Sequence, residues 1–479
     1  MLSIPKVYSF PQSYVGIRTI QQCLNFKVTN NLSTPQNTTV STNLHSIFTI
    51  SPLSPSVYIV NSSILSLYHH NALTVWSITL PSTCACIHHH ILIRSLLLAL
   101  SLTMLKWVQS GLSVVAGTAE PEYGPEAIHT VTDSITNGIA VSRDTVIEDF
   151  AWIQPSSTNV ETQTFYFTDL ASGYAGFAQV IHSNVMGIKT TAQFTFRLFN
   201  NNTGATDPNA TWTSTALEDF RIEGSNFYAK DLSIISSGDN NETYTLTSKV
   251  NPESEVELVV TRLTPGVIFG KDGTTLYGDD IENPWGSMRH VFWPRCSSKG
   301  TIKLKNSTVT IDGYTMFVMA MQGMKPHHAA KSWNFLNFQS ENFSAVQMEF
   351  TTPRSYATTK VNVAILASKD KIIATSINNN VEHLNSEVDE VGWPVPKAIT
   401  FNFTSGTDDA VVAKVGGELP QLVERVDVMA EIPQFVKNIV SGVAGAKPYI
   451  YQFCNTLTIE YNGVSEEGIA FNEATFISE

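Results

Sequence analysis

The sequence predicts a mainly β protein, built from barrels or sandwiches that follow one another along the chain. Strands are indicated where apolar and polar residues alternate, as over 193–198 and 346–350, because successive side chains of a strand point to opposite faces. Turn signals separate such runs at Asp272-Gly273, Asp312-Gly313 and Asn462-Gly463. The chain has 479 residues, of which 43% are hydrophobic and 15% charged, so it is long enough for two or three domains with a substantial core.

The charge balance and the cysteines exclude several classes of function. Lys and Arg number 29 against 42 Asp and Glu, which gives a net charge of −13. A nucleic-acid binder needs a basic surface, so no nucleic-acid partner is predicted. Beyond residue 103 only Cys296 and Cys454 remain, too far apart for a metal-ligand spacing. His327 and His328 would point to opposite faces of a strand. No metal and no cofactor is predicted.

Residues 1–103 differ in composition from the rest of the chain. They contain no Asp or Glu and only four basic residues, and they show no sustained helical or strand period. The uncharged apolar stretch 95–105 is shorter than the ~18 residues that a spanning helix requires. One interpretation is an organellar targeting leader, although the basic residues are too few. The favoured interpretation is an unstructured leader that is translated upstream sequence, with the true start at Met104.

The segment 104–118 has the pattern of an amphipathic helix. Its apolar residues recur at helical spacing, with Trp107 beside them and polar residues opposite. Such a stripe either inserts into a membrane surface or packs on the protein itself, and periodicity alone leaves both open. A polar linker is predicted over 119–154. The predicted membrane-binding residues are Leu105, Trp107, Val108, Leu112 and Val115.

One later region interrupts the β pattern. Over 418–443, Leu422, Val426 and Met429 are spaced as on a helix, and Pro433 stands where a second helix would begin. Two short helices are therefore predicted, covering the wall or mouth of a barrel. The β regions on either side of residue 312 are assigned to two domains, 155–312 and 313–479.

Two segments, 284–295 and 317–335, combine Trp, Phe and Met with Arg or His. That composition suits an apolar cavity with a few orienting polar groups. Aromatic and Met clusters also fill ordinary cores, which is the more common case. The residues alone leave both interpretations open.

Several long strings resemble the fungal survival-factor family, and the resemblance runs from Met104 to Glu479. The resemblance implies two consecutive lipocalin-like β-barrel domains preceded by an amphipathic membrane-anchoring helix. It also implies survival of oxidative stress, and binding and transfer of ceramide between the endoplasmic reticulum and the early Golgi. The strings are 104–108, 119–124, 159–167, 176–183, 284–295, 317–339 and 423–437.

The resemblance shifts the interpretation of the aromatic segments towards ligand binding by a monomeric, non-enzymatic carrier. The chain is expected in the cytoplasm, peripherally on cis-Golgi and endoplasmic reticulum membranes, and also in the nucleus. The alternative is a lipocalin-like enzyme of the hydratase or pericyclase type, for which His182, Arg289 and His290 are the candidate polar groups. The predicted ligand-binding residues are Trp285, Met288, Arg289, His290, Phe292, Trp293, Trp333 and Phe335.

Overall fold

The computed structural model describes residues 65–69, 72–76, 124–136, 138–185, 187, 189–324, 326–431 and 447–478. The helix predicted over 104–118, with its five membrane-binding residues, lies outside the described residues. So does the second predicted helix, from Pro433.

Within 1–103 the structure describes one antiparallel pair of strands, β1 (Leu65–His69) and β2 (Ala72–Trp76), with His69 opposite Ala72. No regular structure was expected in this region, and the pair is an exception. Its second strand, Ala-Leu-Thr-Val-Trp, is rich in residues that favour extended backbone. A five-residue alternation was too short a signal to stand out from the surrounding sequence.

The first large sheet confirms the prediction of a mainly β fold. It is antiparallel throughout, and its central order is β8-β7-β6-β5-β17-β16-β13-β12-β11-β10-β9. Its strands are β3 (Ile128–His129), β4 (Ser142–Asp144), β5 (Asn159–Thr168), β6 (Tyr174–Val185), β7 (Lys189–Asn200), β8 (Thr211–Ala216), β9 (Arg221–Glu223), β10 (Asn226–Ala229), β11 (Leu232–Ser237), β12 (Thr243–Ser248), β13 (Ser254–Arg262), β14 (Val267–Phe269), β15 (Thr274–Tyr277), β16 (Gly286–Leu304) and β17 (Thr308–Gln322).

A second sheet follows in the chain, with the central order β21-β20-β19-β18-β29-β28-β26-β25-β22 and β27 paired to β28. Strands β23 and β24 pair only with each other. The strands are β18 (Ser332–Gln339), β19 (Ser344–Thr351), β20 (Lys360–Ala367), β21 (Ile372–Ser376), β22 (Asn380–Leu384), β23 (Glu387–Val388), β24 (Pro394–Val395), β25 (Ala398–Phe403), β26 (Ala413–Glu418), β27 (Leu422–Asp427), β28 (Tyr449–Tyr461) and β29 (Val464–Phe476).

The helices of the described residues are short. None of them is long and apolar enough to cross a bilayer. The α-helices are α1 (Val131–Thr136), α2 (Pro326–Ala329) and α3 (Val428–Glu431), and the 3-10 turns are Pro125–Ala127, Ile147–Phe150, Gly204–Thr206 and Arg354–Tyr356.

Each sheet curls around its own apolar core, as the wall of a barrel does. In the first sheet Phe196 on β7 and Ile234 on β11, far apart in the strand order, belong to one buried cluster. Thr213 on the edge strand β8 is hydrogen bonded to Ser254 at the start of β13, with 2.6 Å between their hydroxyl oxygens. The second sheet buries Phe401 with its neighbours in a separate cluster. Alternation along the strands explains both cores, since one face of each strand points inward.

A third apolar cluster, which we call the inter-sheet layer, lies between the two sheets. Buried Arg295 also joins them, since Nη1 donates to the carbonyl oxygens of Ser340 and Phe343 and Nη2 donates to that of Glu341. The two halves therefore pack against each other through apolar and polar contacts. Members of the inter-sheet layer include Phe177, Phe199, Val318, Phe335, Met348 and Phe471.

The predicted boundary between residues 312 and 313 is corrected by the structure, because it falls inside β17. Asp312-Gly313 is not a turn. Position 313 requires a glycine because β5 passes close by. A Cβ atom on residue 313 would lie only 2.2 Å from the carbonyl oxygen of Thr168. The change from the first sheet to the second comes between Gln322 and Ser332. In contrast, Asn462-Gly463 does form the two-residue hairpin turn, with both residues at positive φ.

The linker predicted over 119–154 and the first predicted helix near 422 also differ from the structure. Part of the linker contributes β3 and β4 to the first sheet. The stretch Leu422–Asp427 is a strand on β28, with a bulge between Leu422 and Glu424, and only the end of the predicted helix is helical, as α3 (Val428–Glu431). Its apolar residues fit a helical spacing, but pairing with β28 outweighs so short a local preference.

Candidate functional site

The strongest candidate site is a narrow crevice in the inter-sheet layer, around His290. Its volume is about 10 Å³, roughly what one water molecule needs. The lining is apolar apart from His290 and Thr275, and it is contributed by both sheets. The lining residues are Val131, Phe269, Gly273, Thr275, Met288, His290, Phe292, Met348, Phe350, Val361 and Val363.

Strand β16 positions three of the predicted ligand-binding residues here. Met288, His290 and Phe292 alternate along the strand, so they share the face that points to the second sheet. Trp333 on β18 closes on them from the second sheet. Its ring centroid lies 5.9 Å from that of His290 and 5.5 Å from that of Phe350. These four of the eight predicted residues are therefore brought together.

The environment of His290 keeps its imidazole neutral. Burial, together with the neighbouring Arg289 guanidinium, lowers the pKa of His290 to about 3. The ring stacks on Phe292 at 6.2 Å. Among the described residues, no hydrogen bond is made by either ring nitrogen of His290. A neutral imidazole in an apolar crevice can donate one hydrogen bond and accept another.

Arg289 lies on the opposite face of β16, and its prediction as a ligand-binding residue is not supported by the geometry. Its Nε donates to the carbonyl oxygen of Asp272, at 2.9 Å, and its Nη1 to that of Asp149, at 2.8 Å. The Asp149 carboxylate is 3.9 Å from Nη2. Arg289 thus holds the Ile147–Phe150 turn against the first sheet.

Trp293 belongs to the core of the first sheet and not to the crevice. Its ring centroid is 5.4 Å from that of Phe150, 5.0 Å from that of Tyr244 and 5.4 Å from that of Phe317. These rings fill the interior where a lipid cavity was expected. Before the bulge between Trp293 and Cys296, odd-numbered residues of β16 point inward, so Trp293 and Phe292 are on opposite faces.

Trp285 and Phe335 are in the inter-sheet layer but do not line the crevice. Trp285 packs on Tyr277 and Tyr356, with ring centroids 6.2 and 6.0 Å away. Phe335 packs on Tyr166, at 5.1 Å. Both residues help to join the sheets at a distance from His290.

The three candidate catalytic groups do not converge. His182 is buried inside the first sheet, with Nδ1 3.8 Å from Oε2 of Glu161, whereas His290 lies in the inter-sheet layer. Burial lowers the pKa of His182 and raises that of Glu161. The Glu161 carboxylate accepts hydrogen bonds from the backbone N–H groups of Ile153 and Gln154. Its role there is to satisfy the backbone of the segment that leads from the Ile147–Phe150 turn to β5.

Sequence reasoning missed a polar pair elsewhere in the inter-sheet layer, Glu473 on β29 and Gln452 on β28. Gln452 Nε2 donates to Glu473 Oε1, at 2.8 Å. Burial raises the pKa of Glu473 to about 7. A signal was present, because Glu473 follows Ile469 and Phe471, two apolar residues of the same strand parity. Only the strand pairing shows that this face is covered by the first sheet.

The far end of the inter-sheet layer opens into a groove of about 250 Å³, which we call the Trp212 groove. Aromatic contacts connect it to the layer, since Trp212 packs on Phe177 and Phe177 on Tyr166, with ring centroids 5.9 and 5.7 Å apart. Its lining residues are Arg197, Phe199, Asn200, Gly204, Ala210, Thr211, Trp212, Gln421, Leu422 and Val423.

Comparison with known proteins places most of the chain in one family. The Svf1 family model matches residues 105–478. The ceramide-binding protein SVF1 of Debaryomyces hansenii is 70% identical over 379 residues, which are 78% of this chain and 100% of that protein. The protein of the same name from Candida albicans is 62% identical over 387 residues, again 78% of this chain and 100% of that protein.

Among solved structures, kievitone hydratase from Nectria haematococca is 11% identical, with a TM-score of 0.45, over 71% of this chain and 97% of that chain. The family assignment rests on the sequence matches, which cover both sheets and the inter-sheet layer. This chain belongs to the Svf1 family.

Proposed function

We propose that this protein binds ceramide without transforming it and carries it between the endoplasmic reticulum and the early Golgi. The observation that carries the proposal is the 70% identity to a named ceramide-binding protein over that protein's whole length. Delivery of ceramide to the early Golgi would support sphingolipid synthesis and, through it, survival of oxidative stress. The protein would act in the cytoplasm, on the surfaces of both membranes, with a further pool in the nucleus.

The chemistry of the ligand defines what the protein must provide. A ceramide has two long alkyl chains, and exposing them to water costs ~0.8 kcal/mol per CH₂. A carrier must therefore cover the chains with apolar side chains and still satisfy the small amide and hydroxyl head group.

The inter-sheet layer offers such a surface. It is rich in aromatic rings and contains Met288 and Met348, whose flexible side chains adapt to irregular apolar shapes. At about 10 Å³ the His290 crevice is too small for a lipid chain. The Trp212 groove, at about 250 Å³, approaches the ~300 Å³ at which ligand pockets begin. We infer that the chains enter at the groove and displace side chains along the layer as they advance.

A non-enzymatic role is supported by the separation of His182 from His290. Catalysis would require polar groups held together around the reacting atoms. In the described residues Arg289 and His182 lie on the inner side of the first sheet and His290 on its outer side, so they do not surround one substrate.

Transfer between vesicles tests both parts of the proposal. The chain from Met104 onward is incubated with donor vesicles that contain ceramide and with ceramide-free acceptors, and lipid masses are followed in both. We expect ceramide of unchanged mass to reach the acceptors in proportion to protein. Absence of transfer would contradict the carrier role, and a new lipid product that disappears with His290→Ala would support the enzyme instead.

A further inference from the structure

A pair of hydrogen-bond acceptors with unused capacity lies inside the inter-sheet layer. Gln452 is 6% exposed, and its Oε1 has no hydrogen-bond partner among the described residues. Its Nε2 donates a hydrogen bond to Glu473 Oε1, at 2.8 Å. No hydrogen bond from the described residues reaches the second carboxylate oxygen of Glu473. Gln452 Oε1 is thus a buried acceptor without a donor, which is costly to leave unsatisfied, and the half-buried Glu473 carboxyl beside it keeps one oxygen free.

The surroundings of this pair are aromatic. Glu473 stands directly across from Phe335 in the pairing of β29 with β18, and two residues along β29 from Phe471. Tyr166 of the first sheet packs on both rings, with centroids 5.1 Å from Phe335 and 5.3 Å from Phe471. The pair therefore lies beside the row of rings that leads to the Trp212 groove.

Above its pKa of about 7 the Glu473 carboxyl also carries negative charge, and no cation of the described residues forms an ion pair with it. Arg197, at the groove end of the layer, is already engaged by the Glu424 carboxylate, at 3.2 Å, and by the carbonyl oxygen of Val423, at 2.9 Å. A ligand group placed against Glu473 should therefore donate hydrogen bonds and carry no negative charge. A phosphate would meet the carboxylate in a poorly solvated place, where like charges repel strongly.

We propose that Gln452 and Glu473 form the head-group site of the lipid carrier and select a neutral head with hydroxyl and amide donors over a phosphorylated one. The inference rests on the proposed function. Ceramide presents two O–H groups and one N–H group, and any two of these three donors could satisfy the two free acceptor oxygens. The pair acts by accepting these hydrogen bonds and by excluding phosphate through its charge, and the alkyl chains lie on the aromatic row.

The test measures uptake of lipid by the full chain at pH 8, where the Glu473 carboxyl is ionised, from vesicles that contain either ceramide or ceramide 1-phosphate in phosphatidylcholine. Glu473→Gln keeps the size of the side chain and one acceptor oxygen, but it removes the charge and replaces the second acceptor oxygen with an NH₂ donor. We expect the preference for ceramide over its phosphate to fall about tenfold or more, since like-charge contact costs several kcal/mol. Gln452→Met should lower ceramide uptake by about three- to tenfold, the loss of one hydrogen bond.

Glu467→Gln is the matched control, because it is the same substitution at an exposed position near the start of the same strand. Its lipid preference should equal that of the unmodified protein. If unmodified protein takes up ceramide and Glu473→Gln leaves the preference unchanged, the head-group site is wrong and the carrier role stands. If unmodified protein takes up no ceramide, the proposed function itself is wrong and this site falls with it. Thermal unfolding of each variant separates lost binding from lost fold.

Discussion

Replacing Trp293 with Ala should weaken the fold and leave lipid binding per folded molecule unchanged. Trp293 is 2% exposed and contacts Phe150, Tyr244 and Phe317 in the core of the first sheet. Truncating a buried Trp costs about 3–5 kcal/mol, because apolar contacts are lost and a cavity remains. The indole N–H has no hydrogen-bond partner among the described residues, so no hydrogen bond is lost and we expect the lower half of that range.

The expected loss is measurable by thermal unfolding. For domains of this size each kcal/mol shifts the melting temperature by about 2–4 °C, so Trp293→Ala should lower it by roughly 6–16 °C. Circular dichroism at 218 nm follows the unfolding of the strands. Lipid retained is measured by mass spectrometry on the folded fraction only, so that the two effects are kept apart.

Trp333→Ala is the matched comparison, since it also removes an indole ring, but one that packs beside His290 in the inter-sheet layer. Trp333 is half-buried and contacts His290 and Phe350. We expect a smaller loss of melting temperature than for Trp293→Ala and a clear loss of retained lipid. The reasoning is refuted if Trp293→Ala melts within 2 °C of the unmodified protein, roughly the effect of less than 1 kcal/mol, while its retained lipid falls.

Three further outcomes are expected. Arg295→Met removes hydrogen bonds to Ser340, Glu341 and Phe343 and should lower the free energy of unfolding in urea by about 2–4 kcal/mol. The control is Arg221→Met at an exposed position, which should change that free energy by about 0.5 kcal/mol or less. Burial raises the pKa of Glu473 from 4.5 to about 7, so the folded state holds this proton more tightly than the unfolded state does. The stabilisation from the bound proton is therefore complete below about pH 4.5 and is lost as the pH rises through about 7. Glu473→Gln should reduce that fall in urea stability between pH 5 and 8, and an unchanged slope would contradict it. Leu112→Asp should release the protein from floating membranes while melting is unchanged, because a charge on the inserting face is costly to bury; continued flotation would show that another segment is the anchor.

Local pattern predicted a good part of this fold. Alternation identified the strands, and Asn462-Gly463 identified a hairpin whose geometry is set by two adjacent residues. Asp312-Gly313 has equally strong turn chemistry, yet it lies within β17 because β5, about 150 residues earlier in the chain, passes beside it. A turn signal cannot report such a distant neighbour.

The candidate site was predicted in composition but not in arrangement. The sequence placed aromatic, Met and His residues together over 284–295, and Met288, His290 and Phe292 do share the inter-sheet face. Whether the inner or outer face of β16 meets a ligand depends on the second sheet, so the sequence could only name residues of both faces, Trp293 among them. Glu473 was missed because its burial comes from Tyr166 and Phe335 on other strands.

Mass spectrometry of the lipids that remain bound to the protein after purification from fungal cells tests most directly whether it carries ceramide. The protein is prepared from Met104 onward, without detergent, and its lipids are compared with those retained by Trp333→Ala. We predict intact ceramide as the enriched lipid, at a clearly lower amount in the variant. Enrichment of a phosphorylated sphingolipid or of a chemically altered lipid, or no lipid at all, would contradict the carrier role.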